Sequence, residues 1–418
     1  MTDPYFQSLF AQRIGGALYG KDSEIYKFEK IKRAKRKALA DHPERQLVDF
    51  GIGENDEMAD PSVRRVMAEE INRPQNRGYA DNGIAEFKEA AARFMAREFA
   101  VELDPVTEVN HCIGTKTALA MIPATLIDPG DVTLMTVPGY PVAGTHTKYY
   151  GGQVHGLPLR PENDFFPDLD NIPADVLKRT KLLVINYPNS PTGRVATREF
   201  YGRVVEFARR NRVVVVQDAA HAMFSYGAPP ISFLQIPGAR EVGVEVHSLS
   251  KGWHMIGWRL GWVCGHQRLV RAFADVKDNS DSGQFIAIQK AAAAALDNPE
   301  IPRRARAKYL RRLTKLVEVL RRCGFKCQVP GGTYFLYVPA PTGRADGTRF
   351  DTAEAVSQYL ITEHSICTVP WDDAGRYLRF SVTYEAPDEA AEDALMAETE
   401  RRLKNLGLVF GLNREAVS

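Results

Sequence analysis

The chain is short of cysteine, of net charge and of long apolar runs, and each shortage closes off a class of protein. Five cysteines occur in 418 residues, at positions 112, 264, 323, 327 and 367. Their odd number and wide scatter speak against a disulfide scaffold and against metal fingers, so no metal is expected. Cys323 and Cys327 read as buried or idle thiols. Lysine plus arginine total 54 against 52 acidic residues. No global field gathers nucleic acid or an anionic membrane, and neither is expected as a partner. No apolar run reaches about 18 residues. The opening MTDPYFQSLFAQRIGG lacks the basic-then-apolar secretory pattern. A cytoplasmic location fits. There is no G-x-G-x-x-G after a strand, no repeat, and no low complexity beyond the alanine run 291–295, read as a tightly packed helix.

What is present is α/β texture. VTLMTVPGYP (132–141), KLLVINYPNSPTG (181–193), RVVVVQDAAH (212–221) and VGVEVHSLSK (242–251) are β-branched runs ending in turn or polar residues. TREFYGRVVEFARRN (197–211) reads as an amphipathic helix opened by Thr197, with Glu199 close behind. Apolar strands separated by such helices predict a mostly parallel sheet buried on both faces. In such sheets chemistry gathers beyond the carboxyl ends of strands. Upstream, Ile25, Phe28, Ile31 and Leu39 recur near helical spacing in a basic segment. Downstream, residues 298–324 read as a long helix whose arginines form a solvated face, followed by a helix near 351–363 and late strands. The expected division is an N-terminal segment 1–47 on a small domain, a large domain 48–297, and a smaller α+β domain 298–418.

The densest signal is HSLSKGWHMIGWRLGW (247–262). Lys251 lies past a strand, preceded by Ser248 and Ser250 and followed by Arg259. A lysine that attacks an aldehyde must be unprotonated, and burial with nearby positive charge favours that form. Hydroxyls and a guanidinium suit a phosphate. The alternative is an exposed loop lysine with an incidental arginine. Asp218 ends its strand, as a buried functional carboxylate or as an N-cap. Gly114, Thr115 and Lys116 open an apolar helix and form a candidate anion turn, although capping turns look alike. Arg379, between Leu378 and Phe380, would be costly to bury without an anion.

These strings resemble the class I/II (fold-type I) pyridoxal-phosphate aminotransferases. Ser-Leu-Ser-Lys followed by Gly257-Trp258-Arg259-Leu260-Gly261 looks like that family's attachment site, with His254 where a small or aliphatic residue is usual. Landmarks fall in family order from about 45 to 385. The resemblance implies a large domain binding pyridoxal 5'-phosphate, held by Lys251 as a Schiff base. Lys251, Asp218 and His221 would carry the chemistry, with Asp218 at the pyridine nitrogen. Gly114, Thr115, Lys116, Ser248, Ser250 and Arg259 would surround the phosphate, and Tyr140 would lie over the ring. Tyr79 would reach the neighbouring subunit's phosphate, which implies a homodimer with shared sites. Arg379, Gly53 and Tyr26 would face the substrate.

Two departures fall together. The residue before Pro191-Thr192-Gly193 is Ser190 instead of asparagine, with Asn189 one place earlier, and His221 replaces a tyrosine three residues past Asp218. His221 with Asn189 or Ser190 would replace the usual donors to the cofactor's phenolic oxygen, Asn189 also facing substrate. The alternative is altered activity. RPENDFFPDL (160–169), FGIGEND, DAAHAMF and YKFEKI look most like the LL-diaminopimelate branch. The implied reaction moves an amino group from that donor to a 2-oxo acid such as 2-oxoglutarate, by ping-pong kinetics, in lysine biosynthesis. The competing readings are an aspartate, alanine or aromatic aminotransferase, a pyridoxal-phosphate lyase or racemase, a cofactor-binding regulator, and a nicotinamide oxidoreductase.

Overall fold

The computed structural model describes residues 4–21 and 27–411. The chain is an α/β protein built on a seven-stranded sheet, made from β2 to β8 once the short β1 (Val48–Asp49) has been laid elsewhere. The sheet strands are β2 (Val109–Cys112), β3 (Val132–Val137), β4 (Gln153–Pro158), β5 (Thr180–Asn186), β6 (Val214–Asp218), β7 (Gly243–Ser248) and β8 (Gly261–Gly265). Their order is β2-β8-β7-β6-β5-β3-β4, parallel throughout except at β8, which runs against both neighbours.

Period-two geometry sends alternate residues of these strands to opposite faces. Leu183, Ile185 and Val215 enter one hydrophobic core, while Leu182, Val184 and Val216 enter another on the far side. That is why the centres of β5 and β6 read as unbroken apolar runs. The helix Arg198–Asn211 covers the first face with Phe200, Tyr201, Val204, Val205, Phe207 and Ala208. Thr197 caps its start by accepting from the Phe200 amide at 3.1 Å. The alanine run lies in the helix Ile286–Leu296, where Ala291, Ala292 and Ala295 are fully buried.

A further core fills the C-terminal part. It gathers the helix Glu300–Arg322, the strands β9 (Phe335–Pro339) and Tyr377–Ser381, and Val48 and Phe50 from the start of the αβ region. β1 pairs parallel with Ile366–Cys367. The helix Lys27–Asp41 packs on this part through Ile31, Ala34 and Ala38, against Ile361, Cys367 and Val369.

The strands stop at Val137, Asn186, Asp218 and Ser248, where the turn and polar tails of the sequence runs begin, as expected. Several other expectations need correction. Leu39 is half exposed: the buried stripe of its helix runs through Ile31, Ala34 and Ala38, one position off it. Ile25 lies outside the described residues. The long basic helix is not solvated all along its arginines. Arg312 is completely buried, with Nε donating to Glu392 at 2.7 Å and Nη1 3.0 Å from Asp56. Nη1 also donates to the carbonyls of Val382 and Tyr384. The five thiols are free, Cys323 and Cys327 being half-buried. Among the described residues no helix is long and apolar enough to cross a membrane.

Removing one partner from such a cluster strands buried charge. Arg312→Ala is expected to lower the unfolding free energy by about 3–5 kcal/mol in urea titrations. Burial pushes the Glu392 carboxyl up, but hydrogen bonds from Arg311 and Arg312 prevail and hold it at about 2. Its contribution is therefore complete above the ordinary carboxyl range and lost as pH falls from about 4.5 towards 2. Denaturation curves across that window should show the loss in the parent protein and a shallower one in Arg312→Ala.

Candidate active site

Three neighbouring strands deliver polar residues to one edge of the sheet. The register pairs Asn186 of β5 with Asp218 of β6, and Asp218 with Val246 of β7, two residues before Ser248. Asp218 is 5% exposed. Burial pushes its carboxyl up to about 6, against the opposing pull of the Ala220 amide, His247 and Lys251. The Ala220 N–H donates to its Oδ1 at 3.0 Å. Asn186 ties two loops together: Nδ2 donates to the Asp218 carbonyl at 2.8 Å, and Oδ1 accepts from the Ser190 amide at 2.9 Å.

Lys251 sits in the single turn Leu249–Gly252, which Ser248 caps by accepting from the Ser250 amide at 3.0 Å. Its Nζ donates to the Gly53 carbonyl at 3.0 Å, and its own carbonyl accepts from Asn55 Nδ2 at 2.9 Å. Tyr334 Oη donates to the same Gly53 oxygen, also at 3.0 Å. Asn55 is within 3.2 Å of Tyr309 Oη, which donates to Asp56 at 3.0 Å. His254 stacks on Tyr309, rings 5.9 Å apart and 9° from parallel.

A second pole forms around Arg259. Its Nη1 donates to Ser250 Oγ at 3.1 Å and to the Ile256 carbonyl at 2.8 Å. The guanidinium lies so close to Gly114 that a Cβ there would collide with Nη2. Thr115 is buried beside it, but the Lys116 side chain is exposed. The helix that follows, Thr115–Met121, has only seven residues, so cationic character at this pole rests on Arg259 more than on a helix dipole.

Two further polar side chains, Asn189 and His221, are buried. Asn189 is fully buried: Oδ1 accepts from Thr192 Oγ1 at 2.7 Å, while Nδ2 has no hydrogen-bond partner among the described residues. His221 is buried 5.1 Å from the Tyr334 ring and 5.7 Å from Phe335, and its Nδ1 is likewise unpartnered. Burial, with Lys251 and Arg379 nearby, keeps its imidazole neutral at pH 7. Arg379 is buried on the Tyr377–Ser381 strand, facing Tyr337 in register. Its Nη2 donates to the Gly51 carbonyl at 3.1 Å, and its Cζ lies 4.2 Å from the Phe335 ring centre.

Lys251, Asp218, His221, Gly53 and Arg379 thus share one interior, with Ser248, Ser250, Arg259 and Gly114 beside it, while Asn189 is buried in the turn that follows β5. Ser190 is half-buried at its edge. Tyr140 is 41% and Tyr79 84% exposed within the chain. Tyr26 lies outside the described residues. Sequence reasoning passed over Asn55, Asn186, Tyr309 and Tyr334; of these, Asn186 carried a local cue as the polar end of a strand run, and Tyr334 another in following a Gly-Gly turn before a strand. Among the described residues no group of three or more His, Cys, Asp or Glu could hold a metal ion.

This interior suits a small molecule with an anionic end for Arg259, a carbonyl for Lys251, and an acceptor for Asn189 and His221. The model of the family described as aminotransferase class I and II matches residues 45–395. LL-diaminopimelate aminotransferase from Methanocaldococcus jannaschii is 55% identical over 417 residues, covering 98% of this chain and 100% of its own. The protein of that name from Methanococcus maripaludis is 52% identical, with coverage of 98% and 100%. Among solved structures, substrate-bound BacF from Bacillus subtilis superposes with TM-score 0.84 at 28% identity, over 94% of this chain and 98% of that one. A probable N-succinyldiaminopimelate aminotransferase from Thermus thermophilus gives 0.81 at 26% identity, over 91% and 99%.

Gly114 holds φ at +74°, where a side chain is strained even without the collision. Gly114→Ala is expected to cost about 1–3 kcal/mol of stability, read by chemical denaturation, whereas Gly202→Ala, with open space around it, should cost far less.

Proposed function

This chain belongs to the class I and II aminotransferase family and transaminates, and we propose that its amino donor is LL-diaminopimelate and its acceptor a 2-oxo acid, 2-oxoglutarate by preference. The full-length 55% identity to an enzyme of that name carries the substrate reading. Such a reaction belongs to lysine biosynthesis, and the cofactor is pyridoxal 5'-phosphate.

The interior fits that cofactor on its own chemistry. Two buried polar atoms, Asn189 Nδ2 and His221 Nδ1, have no hydrogen-bond partner among the described residues, which is costly unless a ligand group meets them. Arg259, Ser248, Ser250, Thr115 and the Gly114 backbone would hold the phosphate. Lys251 would hold the aldehyde, and Asp218 the pyridine nitrogen. Pyridoxal phosphate, when bound, supplies an aldehyde for amines to condense with and a ring that accepts the electrons of a broken Cα–H bond.

The residues do the rest. Arg379 grips the substrate α-carboxylate in a bidentate pair, and its tie to Gly51 fixes the approach. Lys251 Nζ would serve as the base that takes the substrate's Cα proton and as the acid that gives a proton back. Its Nζ bonds the Gly53 carbonyl, two residues from the Gly51 carbonyl that Arg379 holds, which supports this reading. Asp218 presents a carboxylate that keeps a facing ring nitrogen protonated. His221, in the tautomer protonated at Nδ1, and Asn189 through Nδ2 would be the donors available to the cofactor's phenolic oxygen, Asn189 standing in for the asparagine that Ser190 replaces. A homodimer with shared sites is supported by Tyr79, an exposed tyrosine beside a pinned loop. The scattered free thiols suit a reducing cytoplasm.

Holoenzyme mixed with single amino acids should lose its cofactor absorbance band with LL-diaminopimelate. Reaction with aspartate, alanine or an aromatic amino acid but not with diaminopimelate would overturn the substrate reading. Borohydride should fix the cofactor to Lys251, and Lys251→Ala should lose at least about 10²–10⁴-fold in kcat.

A further inference from the structure

Arg259 stands in a conformation it would not choose. Its φ is 56°, in the left-handed region that a residue with a Cβ rarely occupies. Something outside the turn must hold it there. The carbonyls of Trp258 and Arg259 are both taken by one side chain, Gln284, whose Nε2 donates to them at 2.7 and 3.0 Å. With Nε2 committed, the Gln284 Oε1 is the acceptor of the pair with His111 Nε2 at 3.0 Å. His111 is completely buried and held down to about 4, first by burial, so it is neutral at working pH and carries its proton at Nε2. The amide therefore has one orientation.

The backbone of Gln284 is pinned in turn. Its carbonyl accepts from Gln289 Nε2 at 2.7 Å, and Gln289 Oε1 accepts from the Ile84 amide at 2.9 Å. Upstream, the buried Lys277 donates to Asp281 at 2.6 Å, and Asp281 accepts from the Gly283 amide at 2.8 Å. Lys277 also donates to the Asp81 carbonyl. The loop 279–285 is thus tied at both ends while its one long amide reaches the Arg259 turn. Nothing in the mechanism above uses these residues.

We propose that Gln284 is a positioning residue for the phosphate pole: its side-chain amide, oriented by His111, locks the Trp258–Arg259 turn so that the guanidinium faces Gly114 and Ser250. This rests on the cofactor reading given above. Gln284 touches neither cofactor nor substrate and acts through Arg259 alone. Its loss should weaken what the phosphate contributes and spare what the ring and Lys251 contribute.

The test compares two ligands on cofactor-stripped protein, pyridoxal 5'-phosphate and pyridoxal, which differ only in the phosphate. In Gln284→Leu the phosphorylated ligand should bind about tenfold more weakly, with pyridoxal within about twofold of the parent. Gln284→Glu, which keeps the length and an acceptor but no donor, should behave alike. Equal weakening of both ligands would mean general loosening and would overturn the inference, as would no weakening of either. Should both Gln284 variants fail to fold, His111→Asn frees the amide without deleting it. A smaller loss confined to the phosphorylated ligand is then expected, and an unchanged ratio sinks the inference. If the parent itself binds pyridoxal phosphate no better than pyridoxal, the phosphate pole is wrong, and it is the cofactor reading that falls.

Discussion

The Gly53 carbonyl accepts from Lys251 Nζ and from Tyr334 Oη at 3.0 Å each, and most of the site depends on that junction. Lys251 comes from the end of the large sheet, Tyr334 from the entrance of β9, and Gly53 from the segment between β1 and the helix Pro61–Glu70. Two residues earlier the same segment takes Arg379 on the Gly51 carbonyl, and two residues later it offers Asn55 to the Lys251 backbone. A five-residue stretch of backbone therefore sets the lysine relative to the arginine. Main-chain carbonyls are good anchors for this, because a side-chain substitution does not remove them.

The parts legible in the sequence are those whose cause is local. Strands β5 and β6 announce themselves because burial on both faces demands apolar residues, β7 alternates valine with the buried Glu245 and His247, and the polar ends of all three mark the candidate edge. Thr197 and the apolar spacing after it give the helix Arg198–Asn211 almost to the residue. The illegible parts have partners far along the chain. Asn55 meets residues 196 and 254 positions away, and nothing near it in sequence marks it. Arg312 looks like every other arginine of its helix until Asp56 and Glu392 are folded against it. Leu39 misleads in the opposite sense, since small alanines, not the large leucine, make the packed stripe.

The paired departures at positions 190 and 221 become intelligible once burial is known. Asn189 is anchored through Oδ1 by Thr192, which turns its Nδ2 into the free end, and His221 is walled by Tyr334 and Phe335. Under the proposed reading the two donors are an amide and a neutral imidazole. Neither can ionise as a phenol does, so electron density on the cofactor's oxygen would be governed by two fixed dipoles.

The buried charges of Arg312 have a consequence for the way the molecule comes apart. Asp56 belongs to the segment that fixes Lys251, Arg312 to the long helix of the C-terminal core, and Glu392 to the last helix. Neither core can melt first without leaving an ion uncompensated in the other. The hydrophobic cores on either side of this cluster are thereby welded into a single cooperative unit, and heat should take the whole polypeptide through one transition instead of two.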